Sequence, residues 1–409
     1  MTDVGSDLRV VARRRPVEPR RFGGVGPTRG PSRDQSLFRR RVEPAWRHVD
    51  LLMPLCAVAL TALGVVMILS STRGTDPDAY DLSFFRRQIV FAAVGLAVMV
   101  LMTVIDYRRL REWAWLPYVA VIVALGLVLT ALGVERRGTQ RWFQLGEFQF
   151  QPSELAKVVG ILAVAALLDR RDTPLRARWV WAGLALLCVP MALAMLQPDV
   201  GTGIVFAVLA MGMLLVAGVR MRHLVVLTAG GVLVVVGILN SDFLQDYQRE
   251  RLTTFLDQDN LLGSETYNLD QSMIAIGSGG AGGKGLFEGT QTRLGNVPEQ
   301  HTDFIFAALG EELGFVGSAT VLGLFWVLAW RIWRTAQMAR DRFGMLLCVG
   351  VLSMLVFQVF QNVGMTMGIM PITGIPLPFM SYGGSSIIAA FAAVGLVMNV
   401  HMRRFGSVA

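Results

Sequence analysis

The chain carries ten long apolar stretches that hold few charges, at 51–70, 88–105, 115–134, 153–168, 179–196, 203–219, 224–239, 304–330, 343–370 and 385–402. About 20 mostly apolar residues cross a bilayer as a helix. Inside hydrocarbon the backbone must satisfy its own hydrogen bonds, so runs of this kind are restricted to helices. The expected fold is an all-α polytopic membrane protein of about ten transmembrane helices. Composition agrees, since 53% of the 409 residues are hydrophobic and 17% are charged. That balance excludes a disordered chain, a collagen and an ordinary soluble enzyme. Cys56, Cys188 and Cys348 all lie in apolar runs, so no disulfide framework is implied.

The net charge of +8 belongs mostly to a tail. Residues 1–49 hold twelve arginines against five acids, with Pro and Gly throughout, and are expected to form a disordered basic cytoplasmic tail. No apolar segment precedes residue 51, so the tail is not expected to be a cleaved signal. The basic balance therefore gives no reason to expect a nucleic-acid partner. Arginines then recur on alternate connections (108–111, 170–178, 220–222, 331–342 and 403–404), which places those connections and both termini inside. On that reading residues 50–404 form the membrane domain, which ends in a short cytoplasmic tail at 405–409. The longest connection, 240–303, lies outside between the seventh and eighth spans. It is expected to contain a helix near 247–255. Residues 371–384, with three Pro and three Gly, read as a re-entrant or cavity-lining segment. Arg73, Arg86, Arg87, Arg136, Arg137 and Arg141 break the charge rule on the outer side.

Ionisable residues inside spans are functional candidates. Glu154 and Lys157 share one helix face at i, i+3, either as a packing pair or as part of a site. Glu311 and Glu312 lie about two turns beyond Asp303, and Asp199 follows Gln197-Pro198. The run Gly277-Ser278-Gly279-Gly280-Ala281-Gly282 matches G-x-G-x-x-G in spelling, but no βαβ unit surrounds it, so no nucleotide is expected. With Lys284 beside it, the run reads as either a cradle for an anionic group or a hinge. There is no His or Cys spacing for a metal and no G-x-S-x-G. What is left is carboxylate chemistry near the membrane surface. In His301-Thr302-Asp303-Phe304 the Asp stands where a polar loop enters an apolar helix, as a helix N-cap or as a catalytic carboxylate.

These motifs together resemble the SEDS family (shape, elongation, division and sporulation) over about residues 50–404. The resemblance rests on Gly138-Thr139-Gln140-Arg141-Trp142, Gln151-Pro152-Ser153-Glu154 with Lys157, and Gln197-Pro198-Asp199-Val200-Gly201-Thr202. It continues with Pro298-Glu299-Gln300-His301-Thr302-Asp303-Phe304-Ile305-Phe306, Gly310-Glu311-Glu312, and the run from Gly374-Ile375-Pro376 to Gly384-Ser385-Ser386. Gln271-Ser272, Ile274 to Gly280, Gly289-Thr290-Gln291 and Ile375-Pro376-Leu377-Pro378 are closer to its elongation (RodA) branch than to its division (FtsW) branch.

The resemblance implies a peptidoglycan glycosyltransferase that polymerises lipid II at the outer face of the plasma membrane. The growing strand on undecaprenyl pyrophosphate is the donor and lipid II the acceptor. It puts the catalytic carboxylate at Asp303. By charge and placement, Arg141, Lys157 and Lys284 are candidates for the pyrophosphate, and Trp142 and Tyr382 for sugar or prenyl chain. Glu154, Asp199, Glu299, His301, Thr302 and Ser381 are further substrate-binding candidates. A divalent cation, Mg or Mn, is implied without a ligand set. The implied partners are a class B penicillin-binding protein, which supplies the transpeptidase, and elongation-complex membrane proteins. A division glycosyltransferase, a lipid II flippase and a non-catalytic scaffold remain alternatives at this stage.

Overall fold

The structure is a computed structural model that describes residues 48–73, 82–136, 139–146, 148–169, 171, 175–239, 264–297 and 299–405. The basic tail up to residue 47, the expected helix near 247–255 and the last four residues lie outside the described residues. The chain is mostly helical, and each of the ten apolar stretches coincides with a helix. The helices are α1 (Leu52–Thr72), α2 (Ser83–Val104), α3 (Tyr107–Trp113), α4 (Trp115–Val128), α5 (Pro152–Leu168), α6 (Ala177–Leu196), α7 (Val200–Val216) and α8 (Met221–Leu239). After these come α9 (Ser264–Gly279), α10 (Thr290–Leu294), α11 (Ile305–Met338), α12 (Arg342–Thr366) and α13 (Gly384–Met402). Among the described residues six helices are long and apolar enough to cross a membrane, or seven if α3 and α4, bent by 59°, form one span. The chain is a multi-pass membrane protein.

Local chemistry sets the boundaries. Pro152 opens α5 in the first turn, where its missing N–H costs nothing. The carboxylates of Asp106, Asp199 and Asp341 cap α3, α7 and α12 by accepting from the amides of Arg108, Thr202 and Gly344. One feature departs from the all-α expectation. Between α4 and α5 the chain forms a small antiparallel sheet of β1 (Val134–Arg136), β2 (Thr139–Leu145) and β3 (Phe148–Phe150), in the order β1-β2-β3. β1 and β3 have three residues each, and the seven of β2 (Thr-Gln-Arg-Trp-Phe-Gln-Leu) do not alternate, so nothing stands out from a polar loop.

The core is built around α13, nearly all of whose residues are buried. It packs against α2, α5 and α12. Small residues allow this approach, as in other membrane bundles. A Cβ on Gly395 would come within 2.5 Å of the Met99 carbonyl oxygen of α2.

Helix α11 is broken at Gly314, whose φ of 63° lies in the left-handed region. The Gly-rich run after α9 repairs the break. The amides of Lys284 and Gly285 donate to the carbonyls of Glu311 and Glu312 at 3.0 Å each, and those of Phe315 and Val316 donate to Gly280 and Ala281 at 2.9 and 3.1 Å. Backbone groups freed by the break thus find partners in the loop, as irregular backbone in such a fold requires. A Cβ has no room at the contact itself: one on Gly283 (φ 82°) would stand 2.1 Å from the Glu312 carbonyl oxygen.

Arginines tie helix ends together at the end of the bundle far from Asp303. Arg331 pairs with Asp50, Arg111 with Asp169 at 2.8 Å, and the Tyr107 hydroxyl donates to Asp341 at 2.6 Å.

Candidate active site

Asp303 ends a turn, 299–303, that leads into α11. Phe304 takes the N-cap position of that helix, so Asp303 stands one residue before it. The turn begins at Glu299, whose φ of 54° is left-handed, an uncommon conformation for a side chain of its size. The Thr302 hydroxyl lies 3.1 Å from Glu299 Oε2. Asp303 and its neighbours His301 and Thr302 are half-buried.

The re-entrant stretch 371–384 packs against this turn. The Tyr382 amide donates to the His301 carbonyl at 2.9 Å, and the Ser381 hydroxyl donates to the Thr302 carbonyl at 2.6 Å. Ser381 Oγ also accepts from the Leu377 amide at 2.8 Å, so this buried hydroxyl has bonds on both sides. Gln88 of α2, fully buried, donates to the Ser381 carbonyl at 3.2 Å and accepts from the Gly383 amide. Rings line the contact: Phe84 lies 4.9 Å from His301 and 5.1 Å from Tyr382, centroid to centroid. The six sequence candidates Glu299, His301, Thr302, Asp303, Ser381 and Tyr382 therefore form one group.

The other candidates form pairs around it. Lys157 Nζ lies 2.7 Å from Glu154 Oε1, and both side chains are buried. The amide of Gln151, just before α5, donates to Ser385 Oγ at the start of α13, which places this pair below the re-entrant stretch. Arg141 of β2 donates to the carbonyls of Gln197 and Pro198 and lies 3.5 Å from Asp199. Asp199 in turn binds both the amide and the hydroxyl of Thr202 at the start of α7. Trp142 sits on β2 opposite Val134. Lys284 Nζ lies 2.7 Å from Glu311 Oε1. Each of the three candidate cations thus has an acidic partner within the protein. The amide of Gly283 donates to the Gly279 carbonyl at the end of α9, and those of Lys284 and Gly285 to α11, so these three amides are engaged within the chain.

Glu311 collects the surrounding donors. It accepts from Lys284 Nζ, the Thr290 hydroxyl, the amides of Gln291 and Thr292, and the Thr292 hydroxyl. Glu312 accepts from the Ser70 hydroxyl of α1 and the Phe287 amide. Gln300 connects this network to the Asp303 turn, because its Nε2 donates to the carbonyls of Ser71 at 2.6 Å and Thr292 at 2.9 Å.

Sequence reasoning missed Gln88, Gln300 and Asn362. The available signal was a polar amide inside or beside an apolar run: Gln88 opens the second stretch, and Gln358, Gln361 and Asn362 interrupt the ninth. All but Gln300 lie within helices, and all five are buried.

The chain belongs to the FtsW/RodA/SpoVE family of cell cycle proteins, whose profile matches residues 50–405. It is 39% identical over 362 residues to the peptidoglycan glycosyltransferase MrdB of Escherichia coli strain K12, covering 87% of this chain and 94% of that one. Among solved structures it is similar to a chain of a peptidoglycan synthase complex described as coordinating polymerization and crosslinking, with a TM-score of 0.73 and 35% identity over 88% of this chain and 99% of that one. It is also similar to the rod shape determining protein RodA of Thermus thermophilus, with a TM-score of 0.65 and 33% identity over 89% of this chain and all of that one.

Proposed function

We propose that this protein is a peptidoglycan glycosyltransferase that polymerises lipid II into glycan strands during cell elongation. The observation that carries the reading is near-full-length similarity to a peptidoglycan glycosyltransferase, together with a carboxylate at the mouth of a polar turn held against a re-entrant segment. In this reading all ten helical stretches cross the plasma membrane, both termini are cytoplasmic, and the loop 240–303 with the Asp303 turn is extracytoplasmic. Residues 50–404 form the catalytic membrane domain and 1–49 a dispensable tail.

Asp303 is the general base. Its carboxylate takes the proton of the acceptor GlcNAc 4-hydroxyl while that oxygen attacks the anomeric carbon of the donor strand. The anomeric bond to pyrophosphate breaks and the electron pair leaves with the phosphate, inverting the centre. Stabilising that developing charge needs cations aimed at it. Arg141, Lys157 and Lys284 are the candidates, each shared with its internal carboxylate. The rings of His301 and Tyr382, with Phe84, face a sugar, and Glu299, Thr302 and Ser381 shape its surroundings. Trp142, Glu154 and Asp199 complete the lining.

A divalent cation, Mg or Mn, would arrive on the substrate's pyrophosphate. Among the described residues no three Asp, Glu, His or Cys side chains come together to hold one. Mg bound through phosphates needs only one or two protein carboxylates. The proposed partners are a class B penicillin-binding protein, which adds the transpeptidase, and other membrane proteins of the elongation complex.

The test is polymerisation of lipid II by the purified protein in detergent, where flipping has no meaning. Asp303→Asn keeps the size of the side chain but accepts no proton, so the rate should fall by about 10²–10⁴-fold with folding and partner binding intact. Long glycan strands made by that variant would exclude the base role.

A further inference from the structure

Three successive carbonyls, those of His301, Thr302 and Asp303, each accept a hydrogen bond from a donor outside the turn. The first two donors are the Tyr382 amide and the Ser381 hydroxyl. The third is Asn362 of α12, whose Nδ2 lies 2.9 Å from the Asp303 carbonyl oxygen. The same Nδ2 donates to the Ile375 carbonyl at 2.8 Å, so one amide group joins the Asp303 turn to the re-entrant stretch. Both neighbours are acceptors only, and this settles which end of the Asn amide faces them. Asn362 is fully buried, and its Oδ1 has no hydrogen-bond partner among the described residues. A buried orphan acceptor is a cost that native structures seldom carry without a reason. Nothing in the helical requirements of α12 demands an Asn here, and a Leu would fill the position without that cost. We infer that Asn362 is a positioning residue for Asp303: it fixes the peptide from which the catalytic carboxylate projects and holds it in register with residues 375–382.

The geometry behind this is simple. An Asp side chain is short, so its carboxylate follows the backbone. With His301 and Thr302 held from one segment and Asp303 from α12, the turn cannot rotate about its last peptide without breaking a buried bond. Gln88 supports the same clamp from behind through Ser381 and Gly383. Left-handed residues lie on both sides of the contact, Glu299 (φ 54°) and Phe379 (φ 67°). Such conformations persist only where the surroundings over-determine them.

The inference rests on the base role proposed for Asp303, and its test separates the two. Initial rates of lipid II polymerisation by the purified full-length protein are measured against lipid II concentration for Asn362→Asp, Ser381→Ala and Asp303→Asn. Folding is checked by thermal midpoint in the same detergent. Asn362→Asp keeps the size but replaces the donor with an acceptor facing two carbonyls. A misplacement near 1 Å costs on the order of 10²-fold, so kcat should fall by about 10–100-fold while KM stays within about twofold. Ser381→Ala removes the Thr302 bond together with the acceptor of the Leu377 amide, leaves the Asn362 bond to Asp303 in place, and should lower kcat severalfold in the same way. If Asn362→Asp fails to fold, Ser381→Ala decides the matter. A folded Asn362→Asp, or in its absence a folded Ser381→Ala, with wild-type kcat overturns the clamp. So does a loss confined to KM. If Asp303→Asn stays active, the base reading itself falls, whatever the Asn362 result.

Discussion

Replacing Glu311 by Leu should release the loop that splices α11. Leu is close in bulk but accepts nothing, so five donors lose their acceptor at once. They are not equal. Lys284 keeps 27% of its side chain exposed and Thr290 is exposed, so both can turn to water. Thr292 is buried, and its amide and hydroxyl have no such escape. A buried donor left unpaired costs about 1–3 kcal/mol, so these two together cost about 2–6 kcal/mol. The cost falls on a local unit, residues 283–297, more than on the whole bundle. Each 1.4 kcal/mol is about tenfold in an equilibrium, so the opening constant of that unit should rise by about 30-fold to 10⁴-fold. Hydrogen exchange read on peptides covering 284–297 in detergent measures it directly, with helix α13 peptides as an unchanged reference. Glu311→Gln should fall between: its one carbonyl oxygen can serve Thr292 while its amide group faces the Gln291 amide, donor to donor. Unchanged exchange at Thr292 in Glu311→Leu would show that other contacts hold the loop and would refute the network.

Gly283→Ala should cost about 1–3 kcal/mol or more, because a left-handed position gains a Cβ that stands 2.1 Å from a carbonyl oxygen. The drop in thermal midpoint checks it, and an unchanged midpoint counts against the splice. Exchanging Glu154 and Lys157 keeps a 2.7 Å pair but reverses its order; polymerisation should be lost with folded protein retained. Normal activity after the exchange would make the pair purely structural. With Cys56, Cys188 and Cys348 replaced by Ala, a Cys at exposed Asp270 should react with an impermeant maleimide on intact cells, and one at exposed Gln337 should not. The reverse pattern would invert the proposed orientation.

The helices were legible because each apolar run is a physical requirement of lipid contact, and all ten runs met a helix. The pairing of Glu154 with Lys157 followed from i, i+3 geometry alone. The sheet at 134–150 was not legible, since β1 and β3 have only three residues each and β2, Thr-Gln-Arg-Trp-Phe-Gln-Leu, does not alternate polar with apolar. Nor was the work of the Gly-rich run. Its spelling suits an anion cradle, but the carbonyls of Gly280 and Ala281 and the amides of Lys284 and Gly285 beside it bond to α11, because Gly314, some thirty residues later in the chain, breaks that helix and leaves backbone groups to satisfy. Asn362 was hidden for the same reason: its partners are carbonyls far away in sequence, which no local pattern announces.

The burial of α13 has a consequence for assembly. This helix is the inner column of the bundle, yet it follows in the chain every helix it packs against. Synthesis runs from the N-terminus, so α2, α5 and α12 are made while the space between them has no occupant. Their inward surfaces, including the wholly buried Gln88, must be wetted by lipid, by neighbours or by trapped water until residue 402 is made. Asn399 then donates to the carbonyls of Met102 and Ile105 and Arg403 to that of Thr103, bonds that close on the α2 end only after the last helix is seated. The bundle is thus completed from its last helix inward, as an arch is by its keystone, and a ribosome stalled before that helix leaves behind an open ring.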